Sequence, residues 1–341
     1  MHVPSSFRSA IGAVAIILGG LAANGAQAAT YCVASSAALQ QALNQSADGG
    51  IHHNEDNVIE IVQGAYNTPS SGTFHYYSTG THVLIVSGGY TAGCALQLHV
   101  TSQTVLDGHH ATGVLSLSSA NGSIAVDTLT LQNGESGSVG AGLQINYLAS
   151  VNASVHVMNT IIRNNHSSVD AGGLYLSGAG DETWLINVLL ADNSSDIQYG
   201  AGYVTGYGQF NEIMATTVSG NTAANQGGSG AAVGGLFCGG SRRCQVYNSI
   251  FWNNTTFGLY LDNSGAIVGD SDYGTLGGHA PATLFDNASV APQFVNRDNG
   301  NYHLSSDSPL RNFSSFHVSD YDLDGHAYPA TGNVDIGAYQ H

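Results

Sequence analysis

The chain contains no lysine. Its six basic residues are all arginine, set against 23 Asp and Glu, and the formal net charge is −17. Binding of nucleic acid needs a basic face that neutralises phosphates, so that partner class is excluded. Lysine-dependent proton abstraction is excluded as well. Charged residues of both signs make up only 9% of the chain, so Gly, Ser, Thr, Asn and Tyr carry the polar surface. Such a surface suits hydrogen bonding to neutral polar ligands or to other proteins. Long apolar runs are also scarce. Beyond residues 10–23 no segment approaches the ~20 apolar residues of a membrane span. Cysteine is limited to Cys32, Cys94, Cys238 and Cys244, without the paired Cys/His spacing that a zinc site uses.

Residues 1–28 have the pattern of a secretory signal peptide. Arg8 gives a positive start, 10–23 an apolar stretch, and 26–28 (AQA) a small-residue cleavage site. An exported chain with an even number of cysteines favours disulfides. Cys238 and Cys244 flank a short tip, GGSRR, and are expected to pair. Cys32 and Cys94 then join the N-terminal region to an early strand.

The main signal is repetition. The segments 141–145 (AGLQI), 172–176 (GGLYL), 201–205 (AGYVT), 234–238 (GGLFC) and 257–261 (FGLYL) are versions of one Gly-led strand. A second motif is interleaved: 129–133 (LTLQN), 161–165 (IIRNN), 189–193 (LLADN), 217–221 (TVSGN) and 250–254 (IFWNN). Two short strands that recur roughly every 30 residues mark a solenoid. The copies are too short and too rich in Gly and Asn for helical repeats, and their apolar residues alternate, as in strands. Asn165, Asn193, Asn221 and Asn254 suit tight corners, where stacked side chains can hydrogen-bond as a ladder. The expected fold is all-β, a right-handed parallel β-helix of seven or eight coils, roughly 35–40 Å long at about 4.8 Å per coil. Ser35 and Ser36 can cap a helix over 37–45, whose stripe of Leu39, Ala42 and Leu43 would cover the first coil. The expected organisation is a leader (1–28), an N-terminal cap with first strands (29–80), coils (81–289) and a C-terminal cap (290–341).

The segments 104–108 (TVLDG), 129–134 (LTLQNG) and 140–143 (GAGL) resemble secreted bacterial β-helix proteins of the pectin-lyase-like superfamily. Near the C-terminus, 291–294 (APQF), 300–304 (GNYHL), Ser308 with Pro309, 322–325 (DLDG) and 335–339 (DIGAY) resemble the choice-of-anchor Q domain in order and spacing. The resemblance covers roughly residues 30–341. It departs at Tyr328, where that family often has Arg, and at Gln340, where it often has Glu, so a buried ion pair is missing. It implies the fold and export, and no particular activity.

Members of the superfamily include polysaccharide lyases and hydrolases. A lyase would draw its base from Arg163, Arg242, Arg243, Arg297 or Arg311. A hydrolase would need facing carboxyl groups. Asp170, Asp181, Glu182, Asp192, Asp196 and Glu212 lie in the repeats, and no pair recurs at the spacing of polygalacturonase motifs. The pairs His52–His53 and His109–His110 point to opposite faces if on strands, and suit turns or surface. Asp320, Asp322 and Asp324 alternate in 320–325 (DYDLDG), the opening of a calcium loop. Thr331 takes the twelfth position instead of Glu, Asp335 could lend a carboxylate, and the competing reading is an Asx-rich turn. Calcium is the one cofactor suggested.

If Leu143, Leu174, Tyr203, Leu236 and Leu259 point inward, then Gln144, Tyr175, Val204, Phe237 and Tyr260 point outward. Tyr175, Phe237 and Tyr260 would form an aromatic column able to stack on sugar rings. Arg242 and Arg243 could clamp a carboxylate. The expected function is a secreted monomer presenting a lateral face to polysaccharide or a cell-surface component. The alternatives are a polysaccharide lyase or glycoside hydrolase, and a structural adhesin or envelope component.

Overall fold

The computed structural model describes residues 28–147, 153–178, 182–206, 208, 210–227, 230–240 and 243–341. The expected leader, Asp181 and Arg242 therefore lie outside the described residues, Ala28 excepted.

The alternating pattern becomes long parallel sheets. The longest runs from Ala29–Val33 through Asn57–Val62, Leu84–Tyr90, Ile124–Gln132, Ser154–Arg163, Glu182–Ala191, Phe210–Met214, Arg243–Tyr247 and Ile267–Gly269 to Thr283–Phe285. A second sheet stacks Phe74–Ser78, Leu115–Ser119, Leu143–Tyr147, Leu174–Gly178, Gly202–Gly206, Leu236–Gly240, Leu259–Leu261 and Leu276–Gly278 in chain order. A third, narrow sheet is built from Glu135–Ser136, His166–Ser167, Ser194–Ser195 and Thr222–Ala223. The arrangement is all-β and compatible with a parallel β-helix.

Inward columns carry the stability. Leu117, Ile145, Leu176, Val204, Cys238 and Leu261 of the second sheet are fully buried. So are Val126, Val157, Leu185, Ile213, Val246 and Val268 of the long sheet, in the same continuous core. Each such aliphatic side chain contributes about 1.5–3 kcal/mol relative to exposure. The long strands bend once each. Thr128, Asn159 and Asn187 take φ of 53°, 44° and 56°, and the register skips them.

The asparagine ladder forms inside the coils. Asn165 Nδ2 donates to Asn193 Oδ1 at 2.9 Å, Asn193 Nδ2 to Asn221 Oδ1 at 3.0 Å, and Asn221 Nδ2 to Asn254 Oδ1 at 2.9 Å. Each is preceded by a left-handed residue: Asn164, Asp192, Gly220 and Asn253.

A helix spans Ser36–Ser46, and Ser35 Oγ accepts from Ala38 N at 3.2 Å. Its Leu39, Ala42 and Leu43 are buried against the early strands. Both disulfides pair as expected. Cys32 bonds Cys94, with Cα atoms 5.7 Å apart, and Cys238 bonds Cys244, with Cα atoms 6.1 Å apart. No helix among the described residues is long and apolar enough to cross a membrane.

The C-terminal segment runs along the flank of the long sheet. It opens with an antiparallel pair, Phe294–Asn296 and Asn301–Leu304. Tyr302, Leu323, Ala338 and Tyr339 then pack on Ile161, Leu189 and Ala191, while Phe316 and Val318 pack on Met158, Trp184, Ile186 and Met214. Hydrogen bonds fasten it to several coils: Thr101 N to Leu323 O, Asn187 Nδ2 to Tyr321 O, and Ala338 N to Thr217 Oγ1, each 3.0 Å.

Candidate functional site

The outer face of the second sheet carries an unbroken aromatic ladder. Parallel pairing puts Tyr175 beside Tyr203, Tyr203 beside Phe237, and Phe237 beside Tyr260. The rings stack at 5.3, 4.9 and 5.6 Å between centroids, with interplanar angles of 11°, 12° and 15°. In-register strands about 4.8 Å apart bring identical positions to stacking distance.

This corrects the reading of the third copy. Matching Gly202 to Gly173 placed Tyr203 inward and Val204 outward. The strand register instead aligns Gly202 with Leu174. A slip of one residue exchanges the two faces of a strand. Val204 is fully buried and Tyr203 fills the gap in the column.

A further ring was missed. Tyr199 lies 4.9 Å from Tyr203 and 5.0 Å from Phe237, tilted by 45° and 57°. Its φ of 64° is left-handed, as at the stacked positions Gly140 and Ala171. A bulky residue there costs on the order of 1–3 kcal/mol, which the ring contacts offset. Burial first, then Tyr203, Asp170, Asp262 and Tyr260, push its hydroxyl up to about 12. Tyr199 precedes the Gly-led strand, outside the copied motif, so only an unusual residue at a Gly/Ala turn position signals it.

The stack leaves ring rims to solvent, not ring faces. Phe237 is only 8% exposed, between Tyr203 and Tyr260 and beneath Tyr199. Tyr175, Tyr203 and Tyr260 are half-buried. Beside the aromatic ladder runs a neutral polar one, with Asn146, Ser177 and Thr205 in register. Gln144 continues the aromatic column below Tyr175 and accepts from Ser116 Oγ at 3.2 Å. Arg243 is exposed at the start of Arg243–Tyr247 in the long sheet, paired with Phe210, and is not on this face.

Asp320, Asp322 and Asp324 are not gathered around a common point. Asp322 is fully buried and accepts from Asp324 N, His326 N and Gln340 N at 3.0, 2.8 and 3.0 Å. Asp324 Oδ2 meets His303 Nε2 at 2.7 Å, and this contact holds its carboxyl below the ordinary value. Asp320 lines a cavity of about 230 Å³ with His99, Asp127 and Tyr321. Among the described residues no group of three or more His, Cys, Asp or Glu could hold a metal ion. His109 and His110 sit exposed in a turn, both with φ of 53°. Neutral Gln340 donates Nε2 to Asp335 O and accepts from Asp335 N.

A second cluster on the long sheet's outer face has titratable groups that sequence spacing did not bring together. His156, Trp184, Glu212 and Gln245 are in register. His156 stacks on Trp184 at 5.6 Å, and Trp184 Nε1 donates to Glu182 Oε2 at 3.1 Å. Burial, then the Glu182 carboxylate, push Glu212 up to about 7, while burial pushes His156 down to about 4. Glu182 and Glu212 are one coil and two residues apart, an offset visible only once the register is known.

No protein-family model, no curated protein and no solved structure matches this chain.

Proposed function

We propose that the protein is an exported right-handed parallel β-helix of the pectin-lyase-like type, with a choice-of-anchor Q-like C-terminal region. In this reading the N-terminal helix closes the first coil. The outer face of the second sheet, centred on Tyr175, Phe237 and Tyr260, is the binding face for a polysaccharide or another cell-surface component. The two disulfides are consistent with an extracellular setting. The observation that carries the proposal is the ladder of rings from Tyr175 to Tyr260, one per coil, beside a neutral polar ladder. A linear ligand would meet rims and hydroxyl groups along several coils, through many weak contacts rather than one deep pocket.

A glycan array with parallel reducing-sugar and unsaturated-uronate assays tests this. Retention without turnover, lost when Tyr175, Phe237 and Tyr260 are replaced by Ser in a chain that still folds, supports the reading. Turnover would favour the lyase or hydrolase alternative. Absence of both favours a structural adhesin.

A further inference from the structure

We propose that the aromatic face selects a glycan carrying free amino groups over neutral and acidic glycans. This rests on the lateral-face reading above and adds the chemical class of the ligand. The observation is where the carboxylates lie. Asp170 binds the backbone of Gln198, next to Tyr199, which lies across Tyr203 and Phe237, and Asp262 lies beside the Phe237 ring, so each stands near the ladder. Asp262 is exposed, and its Cβ would lie 2.9 Å from a Cβ at Gly239, beside the Phe237 ring. Asp170 uses Oδ1 to accept from Gln198 N at 2.8 Å, and burial raises its pKa. Carboxylates set beside the ladder attract cations through charge.

Three of the protein's own cations are engaged elsewhere. Arg163 donates to Gln132, Arg297 meets Asp192 and Asp298, and Arg311 meets Asp335. The formal net charge of −17 adds long-range attraction for a polycation and repulsion for a uronate polymer. A hydroxyl-rich chain fits better than a basic peptide, because half-buried Asn146 and Ser177 offer neutral hydrogen-bonding groups along the same face.

Calorimetric titration of the mature chain with oligomers of glucosamine, of N-acetylglucosamine, of galacturonate and of lysine, matched in length, tests the proposal. The glucosamine oligomer should bind most tightly and weaken with salt. Asp262→Asn and Asp170→Asn should each weaken it roughly fivefold, the loss of one partly exposed ion pair, with an unchanged melt confirming the fold. Equal or tighter binding of the acetylated or acidic oligomer would overturn the inference and leave the lateral-face reading standing. Equal binding of oligolysine, or no effect of either variant, would also overturn it. If none of these oligomers and no glycan on the array is retained, both readings fail.

Discussion

Replacing Glu212 with Gln should stabilise the protein at neutral pH and leave it nearly unchanged in acid. The Glu212 side chain is 4% exposed. Burial and the neighbouring Glu182 carboxylate hold its carboxyl at about 7, against an ordinary value of 4.5. Below that ordinary value, folded and unfolded chains both carry the proton, and ionisation costs the fold nothing. As pH rises towards 7, the unfolded chain gains by ionising while the folded chain keeps its proton. Stability is therefore lost across this window. At about 1.4 kcal/mol per pH unit of separation, the full penalty is about 3 kcal/mol. Gln mimics the protonated form and removes the penalty. For a chain of this size each kcal/mol moves the melting temperature by roughly 2 °C, so the variant should melt about 6 °C higher near neutral pH. His156 acts in the opposite sense. Its imidazole is held at about 4 against 6.5, so its contribution falls as pH drops through that range. The wild-type profile mixes the two effects, and the difference between wild type and variant isolates Glu212. Thermal melts by circular dichroism at about pH 4.5 and about pH 7.5 measure it. A difference that is the same at both pH values would refute the argument, because Glu212 would then ionise without resistance from the fold.

Gly173→Val should lower the melting temperature clearly, since an added Cβ would lie 2.5 Å from Ala201 O and 2.8 Å from Asn193 Cγ; an unchanged melt would contradict the coil packing. Asn193→Ala should cost roughly 2–4 kcal/mol in urea unfolding, because it removes the acceptor of Asn165 N and Nδ2 and the donor to Ile162 O. Replacing Cys32 and Cys94 by Ser should cost about 4 kcal/mol, against about 2 kcal/mol for Cys238 and Cys244, in proportion to loop closure, since the bridges span 62 and 6 residues; equal losses in urea unfolding would mean that structure retained in the unfolded chain outweighs loop closure.

Much of this molecule is legible in one dimension. Period-two alternation and recurring Gly and Asn specify short strands and corners, because side-chain direction and left-handed turns are local properties. The helix at Ser36–Ser46 follows from its cap and apolar stripe, and the Cys238–Cys244 link from a short tip. Even the asparagine ladder follows, since equal positions in stacked coils must meet. The aromatic column was legible at Tyr175, Phe237 and Tyr260, where the repeats match without a slip.

What needed three dimensions depends on register and on contacts distant in the chain. Tyr203 belongs to the column because strand pairing, not motif similarity, aligns Gly202 with Leu174. Tyr199 reaches the stack from the preceding turn. Glu182, Trp184 and Glu212 meet through strand pairing between neighbouring coils. Asp322 holds C-terminal backbone and Asp324 a histidine because that segment folds along the long sheet and buries Asp322. The local pattern tells each strand which side faces inward, but only the packed coils decide which neighbours it meets, since coil length varies and one residue of difference exchanges the two faces.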